Sequence, residues 1–137
     1  MVIGADPFAV ALWQVLLVAS ILFHHSNVRM PAGVERALVR LIVTPRMHGI
    51  HHSDYENETN ANWSSLLSAW DSLHGTLVLS VPQATIAIGV PTYRDPTQVT
   101  LGKVLSLPFR AQGEHWRDAH GNIRRRSHAA PVRRLAE

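Results

Sequence analysis

Three histidines within five positions are the residues of this sequence best suited to chemistry. His48, His51 and His52 stand in the stretch HGIHHSDYENETNANW, at spacing i, i+3 and i+4. In a helix this spacing projects all three imidazoles from one face, about one turn apart. Neutral imidazole is a good ligand for iron, zinc, copper or nickel. The pattern therefore predicts a metal site, with partly exposed surface histidines as the alternative.

The zincin metalloproteases also place clustered histidines on one helix, but their motif does not fit this chain. It requires a glutamate directly after the first histidine as general base, and Gly49 occupies that position. Because the chain contains no cysteine, any metal must be held by imidazole, carboxylate or backbone oxygen. His24 and His25 lie upstream, which indicates a site with more than three imidazoles.

An apolar segment leads directly into the upstream histidines. Residues 7–23 contain no charged side chain and end immediately before His24 and His25. As a helix they would span about 26 Å, slightly less than the roughly 30 Å of a bilayer core. The segment is apolar around its whole circumference, which favours a membrane-associated helix over a soluble core helix.

Two more helices are predicted on either side of the histidine cluster. Residues 33–45, GVERALVRLIVTP, are amphipathic, and the basic face formed by Arg36 and Arg40 would suit anionic lipid head groups. Residues 63–75 carry a second apolar stripe that Gly75 is expected to end. Prolines limit the residues that follow to short extended pieces.

The positive charge of the chain is concentrated near its C-terminus. The net charge is +3, and from Arg110 onward seven arginines face only Glu114, Asp118 and Glu137. The stretch RRRSHAAPVRR has no aromatic residue, whereas surfaces that bind nucleic acid usually interleave basic and aromatic side chains. We therefore expect no nucleic-acid partner and predict a flexible basic tail over residues 117–137.

These elements predict a mainly α fold. It would be a membrane-associated helical domain over residues 1–116, with one candidate transmembrane helix. Short irregular or extended segments would follow the histidine box, and the flexible C-terminal tail over 117–137 would complete the chain.

Three motifs in this order resemble the fatty acid hydroxylase and sterol desaturase superfamily, whose members are integral membrane, non-haem di-iron enzymes. The family's H-x-x-H-H box behind Thr-Pro corresponds to TPRMHGIHH. Its isolated upstream histidine, at the end of a transmembrane helix, corresponds to His25 in FHHSNVRMP, with His24 in the variable place. Its downstream W-D-x-L-x-G-T box corresponds to WDSLHGT. The resemblance covers roughly residues 8–110.

The resemblance implies a role for each matched residue. It makes metal ligands of His25, His48, His51 and His52. His24 is a lower-ranked candidate, and so is His74, which stands where the family commonly has an aromatic residue; the alternative for His74 is a residue on the helix surface or just outside the ligands. Asn62 and Asp71 would orient imidazole rings from just outside the ligands, since metal-bound histidines usually donate their other N–H to an oxygen. The alternatives are that Asp71 caps a helix or forms an ion pair and that Asn62 only shapes a turn.

The same resemblance implies an activity. The family binds two metal ions with eight or more histidines, activates O2, and hydroxylates or desaturates a lipid C–H bond with electrons from an external donor. Iron is the expected cofactor, zinc could occupy the same sites, and a lipid is the expected substrate. The protein would be integral to the membrane, with the histidine cluster and the arginine tail on the cytoplasmic side.

The sequence also departs from the family pattern. The family carries H-x-x-x-H and a further H-x-x-H-H on more N-terminal helices, and here no histidine precedes His24. The sequence therefore predicts the C-terminal portion of a family member, lacking the N-terminal histidine boxes. The alternative is a non-catalytic, membrane-associated fragment that binds one metal or none.

Overall fold

The structure is a computed structural model that describes residues 4–127 except 113, 115 and 119. Over these residues the α-helices are α1 Pro7–His24, α2 Ala32–Leu38, α3 Pro45–His51, α4 Glu56–Thr59, α5 Ala69–His74 and α6 Leu101–Ser106. Short 3-10 helices cover Gln83–Thr85, Pro91–Tyr93, Pro96–Gln98 and Leu107–Phe109. The described residues form no strand, only isolated bridges. The predicted mainly α class, with irregular segments after the histidine box, is confirmed.

Helix α1 is by far the longest helix and is almost entirely apolar. Its start is fixed by Asp6, whose side chain accepts a hydrogen bond from the Phe8 N–H at 3.2 Å, and by Pro7 in the first turn. Its mean hydropathy is 1.8, and 11% of its residues are buried. Among the described residues it is the one helix long and apolar enough to cross a membrane.

Only the C-terminal end of α1 packs against the rest of the chain. The two buried residues of the helix, Ser20 and His24, both lie there. The Ser20 hydroxyl donates to the Ser65 carbonyl at 2.7 Å, and the end of the helix contacts α3. The polar C-terminal end of this otherwise apolar helix is therefore the part that contacts the histidine helix α3.

Helix α2 is shorter than the helix predicted over residues 33–45. It ends at Leu38, and the following residues turn away to pair with a distant loop. Ile42 forms a bridge with Leu67, and the Val43 N–H donates to the Leu66 carbonyl at 3.0 Å. These long-range bonds replace the last turns of the helix, because tertiary pairing overrides the weak helix propensity of β-branched residues.

Helix α5 is likewise shorter than the apolar stripe in the sequence. It begins at Ala69, and both Trp70 and Leu73 are exposed on its surface. Gly75 ends it as predicted, in the left-handed conformation with φ of 71° that glycine adopts without a steric penalty.

Helix α3, which carries the histidine box, lies between two small apolar clusters. One cluster contains Val39, Val43 and Met47, with Leu77 and Leu79 packed against it. The other contains Ile50, Ala61, Val78 and Val81, with Ile86 packed against it. Since α3 contributes to both clusters, its histidine-bearing face is held in a fixed orientation.

The fully buried side chain of Asn62 joins α3 to the residues after α5. Its Nδ2 donates to the carbonyls of Met47 and Val78, both at 2.9 Å, and its Oδ1 accepts from the Val78 N–H at 2.8 Å. Asn62 has a positive φ of 53°, which asparagine tolerates better than most residues. One side chain thus satisfies three backbone groups in the interior.

The acidic run behind the histidine box is paired with arginines from near the end of the described chain. Three ion pairs connect the two segments: Asp54 with Arg124, Glu56 with Arg125, and Glu58 with Arg126. Asp54 and Glu58 are fully buried, so their charges require such partners. These arginines belong to the predicted tail 117–137, of which residues 128–137 lie outside the described residues, and its flexibility stays a prediction.

Replacing Asn62 by alanine should destabilise the fold strongly. The Asn62→Ala variant leaves three buried backbone groups without partners and puts alanine at a positive φ, at a combined cost of about 3 kcal/mol. Urea unfolding of the detergent-solubilised protein, followed by tryptophan fluorescence, measures this. Asn60→Ala, at an exposed asparagine, is the matched control. Equal stability of the two variants would contradict the proposed role of the Asn62 amide.

Candidate metal centre

The ends of α1 and α3 bring histidines together at one cavity of about 490 Å³. Four imidazoles line this cavity, and apolar side chains from the segment after Val81 close part of it; these residues are His24, His25, His48, His52, Ile86 and Ile88. His24 and His48 are buried, whereas His25 and His52 are exposed toward the opening. The site therefore has a desolvated interior and an accessible edge.

Local sequence sets the position of the box on α3. The Thr44 hydroxyl accepts from the Met47 N–H at 3.3 Å, and Pro45 occupies the first turn, so the helix begins at this Thr-Pro pair. The His52 N–H donates to the His48 carbonyl at 3.1 Å, which places the two residues one turn apart. The i, i+4 spacing in the sequence thus becomes two imidazoles on one face.

The Nε2 atoms of three imidazoles converge. His48 Nε2 lies 3.1 Å from His25 Nε2 and 2.9 Å from His52 Nε2. Two ligands about 2.0–2.1 Å from one ion are themselves roughly 3 Å apart. The imidazole of His24 joins the group, with its ring centroid 4.0 Å from that of His48. This spacing matches nitrogen ligands around a shared metal ion.

Backbone carbonyls orient two of the rings. His25 Nδ1 lies 2.9 Å from the Ile21 carbonyl, and His51 Nδ1 lies 2.9 Å from the Ala61 carbonyl. Because a carbonyl can only accept, each Nδ1 carries the proton and each Nε2 keeps a free lone pair. The tautomer that binds a metal through Nε2 is therefore fixed by the fold.

Two buried ring nitrogens have no hydrogen-bond partner among the described residues: His24 Nδ1 and His48 Nδ1. Buried polar atoms are normally paired, so unpaired ones at one site need an explanation. Ligand atoms of His24, His25 and His48 also lie within 4.8 Å of one another. Three imidazoles whose ligand atoms are close enough to share an ion fit a divalent transition metal such as iron or zinc.

The surroundings also lower the pKa of two imidazoles of the histidine box, those of His48 and His52. Burial, reinforced by four neighbouring imidazoles, lowers the pKa of His48 to about 3. Burial, together with His51 and His25, lowers the pKa of His52 below its ordinary value. A metal binds only the deprotonated ring, so at neutral pH no proton has to leave these two ligands.

The predicted ligands are not equally placed. His25, His48 and His52 meet directly, and His24, which ranked lower, is a member of the same group. His51 lies beside them, with its ring centroid 5.5 Å from that of His48 and its edge against Trp63. His74 lies apart, exposed and lining a separate cavity with Trp63 and Trp70.

Asn62 and Asp71 bond to backbone rather than to an imidazole within the described part of the chain. Asp71 accepts from the N–H groups of Trp63 and Ser64, at 2.8 and 3.0 Å, and from the Thr76 hydroxyl at 2.6 Å. The two side chains thereby fix the loop that includes Ala61, the residue whose carbonyl orients His51. The prediction that these two residues orient imidazole rings directly stays a prediction.

The sequence did not predict that the carbonyls of Ile21 and Ala61 would orient the rings of His25 and His51. Helical spacing offers a signal for the first, because residue 21 precedes His25 by one turn. The second comes from a loop and has no counterpart in the sequence pattern. The pairing of Arg124, Arg125 and Arg126 with the acidic run was also missed, although three charges of each sign were visible.

Lowering the pH should destabilise the metal-free protein. Burial lowers the pKa of the His48 imidazole from 6.5 in the unfolded chain to about 3 in the folded protein, so its contribution to stability is complete above pH 6.5 and decreases as the pH falls toward 3. In His48→Gln the slope of the unfolding free energy against pH should decrease by the equivalent of about one proton. Urea unfolding at several pH values, after a chelator has removed metal, measures this slope. His74→Gln, at an exposed histidine, should keep the original slope. An unchanged slope in His48→Gln would contradict a buried, neutral His48.

Comparison with known proteins identifies the family to which the chain belongs. The sequence profile described as fatty acid hydroxylase matches residues 1–76, which include α1, α3 and the downstream Asp71 loop. Ornithine lipid hydroxylase OlsE of Rhizobium tropici is 41% identical over 71 residues, which are 51% of this chain and 20% of that protein. This chain therefore spans about a fifth of the relative's length. No solved structure matches. Since the family profile covers more than half of the residues, the chain belongs to the fatty acid hydroxylase family.

Proposed function

We propose that this chain supplies part of the metal centre of a membrane-bound, iron-dependent lipid hydroxylase. The observation that carries the proposal is the convergence of the Nε2 atoms of His25, His48 and His52, beside buried ring nitrogens without partners. The family is membrane-associated and generally iron-dependent, and its members are oxidoreductases. A helix that could span a bilayer ends at this cluster.

The histidines would hold iron through nitrogen. His24, His25, His48 and His52 would be the ligands in the cavity, and His51, which lies beside it, would be a further ligand through Nε2. Iron bound there would supply the activation of O2 that inserts an oxygen atom into a lipid C–H bond. The carbonyls of Ile21 and Ala61 would keep two rings in the tautomer that presents Nε2.

The rest of the site would deliver substrate and limit water. Ile86 and Ile88 cover part of the cavity with apolar surface, which reduces water access to the imidazoles. Most side chains of α1 are exposed and apolar, so this helix would lie among the acyl chains that the enzyme oxidises. The substrate would then reach the cluster along the membrane rather than from water.

The name of the relative suggests where to look for the substrate. We infer a membrane lipid, with ornithine lipid as the first compound to test. Histidines from outside this chain would complete the ligand set, and an external donor would supply electrons. Lys and Arg favour the cytoplasmic side of a span, so the histidine cluster and the arginines near residue 125 would lie on that side.

The grouping of ligand atoms also supports a second candidate. Among the described residues, the ligand atoms that lie within 4.8 Å of one another belong to a single group of three histidines. One such group can hold one ion, so the chain by itself could be a membrane-associated protein that binds one metal and has no oxygenase activity.

Elemental analysis of the detergent-purified chain tests the metal site. We expect at least one iron or zinc per chain, and loss of that metal in His25→Ala/His48→Ala/His52→Ala. His74→Ala should keep the full metal content because His74 lies outside the cavity. Two ions per chain would contradict the second candidate, whereas one ion per chain is compatible with both candidates, which differ in activity. Metal retained in the triple variant would contradict the site.

A chimera tests the activity. The segment of the Rhizobium tropici relative that matches this chain is exchanged for the corresponding residues of this chain, and cellular ornithine lipid is analysed by mass spectrometry. We expect lipid that has gained one oxygen atom, and at least a hundredfold less of it after His48→Ala, since a metal ligand is lost. Product from the chimera that is unaffected by His48→Ala would contradict the proposed role of this cluster.

A further inference from the structure

A second cavity, of about 660 Å³, lies between α2, α5 and the segment after Thr76. It shares no lining residue with the histidine cavity. Its size is within the range of sites that bind small organic molecules. The proposed metal centre does not use this cavity, so what the cavity binds must be inferred from the residues that line it.

One wall of this cavity is apolar. The side chains that form it come from three elements and are Val39, Ala69, Leu77, Leu79 and Pro82. A small inorganic anion has no hydrocarbon to place against such a wall, whereas an acyl chain gains by burying its methylene groups there. The wall therefore favours a ligand with a hydrocarbon part.

The charged residues of the cavity fall into two groups. Glu35 and Arg46 neutralise each other at 2.6 Å, and Arg46 also donates to the carbonyls of Leu79 and Val81. Arg36 and Arg40 are exposed at the cavity and have no ion pair or hydrogen bond among the described residues. The cavity thus presents two free positive charges beside an internally satisfied pair.

A buried hydroxyl completes the polar part of the cavity. Ser68 is 2% exposed, and its Oγ has no hydrogen-bond partner among the described residues. A buried hydroxyl without a partner is unfavourable, and an acceptor from a ligand would satisfy it. Ser68 lines this cavity, so it is available to donate to an anion held there.

We infer that this cavity binds an anionic phospholipid. The phosphate would be held by the guanidinium groups of Arg36 and Arg40, which suit phosphate oxygens, with the Ser68 hydroxyl as an additional donor. An acyl chain would lie along the apolar wall. Charge complementarity and the apolar wall together select a lipid over a free phosphate or a zwitterionic lipid. The site is separate from the metal centre and does not depend on its occupancy.

Native mass spectrometry of the full chain in a nonionic detergent, titrated with dihexanoyl phosphatidylglycerol, tests the inference. We expect a single bound lipid, with at least tenfold weaker binding of dihexanoyl phosphatidylcholine and no saturable binding of glycerol 3-phosphate. Arg36→Gln/Arg40→Gln should weaken phosphatidylglycerol binding at least tenfold. Ser72→Trp keeps the charge but fills the cavity from α5, and it should weaken the same binding.

The control is Lys103→Gln/Arg110→Gln, which removes two positive charges elsewhere on the described surface. It should bind phosphatidylglycerol like the unmodified chain. Equal weakening in this control would show general attraction between charges and overturn the inference. Equal binding of phosphatidylcholine, saturable binding of glycerol 3-phosphate, or unchanged binding in Ser72→Trp would overturn it as well. Metal content, measured in parallel, should be the same in all variants.

Discussion

The buried amide of Asn62 is the interaction on which the arrangement of this chain depends. It bonds the Met47 carbonyl in the middle of the histidine helix and both backbone groups of Val78, so it ties α3 to the segment that follows α5. The neighbouring carbonyl of Ala61 orients His51. The position of α3, the packing around it and the direction of one imidazole therefore all depend on the same few hydrogen bonds, which are protected from water.

An ion pair also holds the N-terminal end of α3. Arg46, in its first turn, pairs with Glu35 of α2 and donates to the carbonyls of Leu79 and Val81. Arg46 precedes His48 by only two residues, so this polar network lies directly beside the histidine box. The same helix thus has a charged start, held by an ion pair and two carbonyls, and an end that carries the histidine box. The positive charge of Arg46 is neutralised by Glu35, which is its ion-pair partner.

The sequence was informative where spacing alone determines geometry. The i, i+4 spacing of His48 and His52, the Thr-Pro start of α3 and the Gly75 helix end all follow from local rules. Local rules could not predict long-range bonds. Ile42 forms a bridge with Leu67, which shortens α2, and the Ala61 carbonyl bonds the ring of His51. The contribution of His24 depends on the angle between α1 and α3, and no local pattern specifies that angle.

The ion pairs behind the histidine box also affect the order in which the chain acquires its structure. Asp54, Glu56 and Glu58 are 68 to 70 residues before their arginine partners. A ribosome releases α1 and α3 well before those partners, and a contact this distant in sequence forms late. During synthesis the histidine box is therefore complete before the arginines that pair with the acidic run have been made. The ion pairs between residues 124–126 and the acidic run are therefore among the last long-range contacts that the described residues can form.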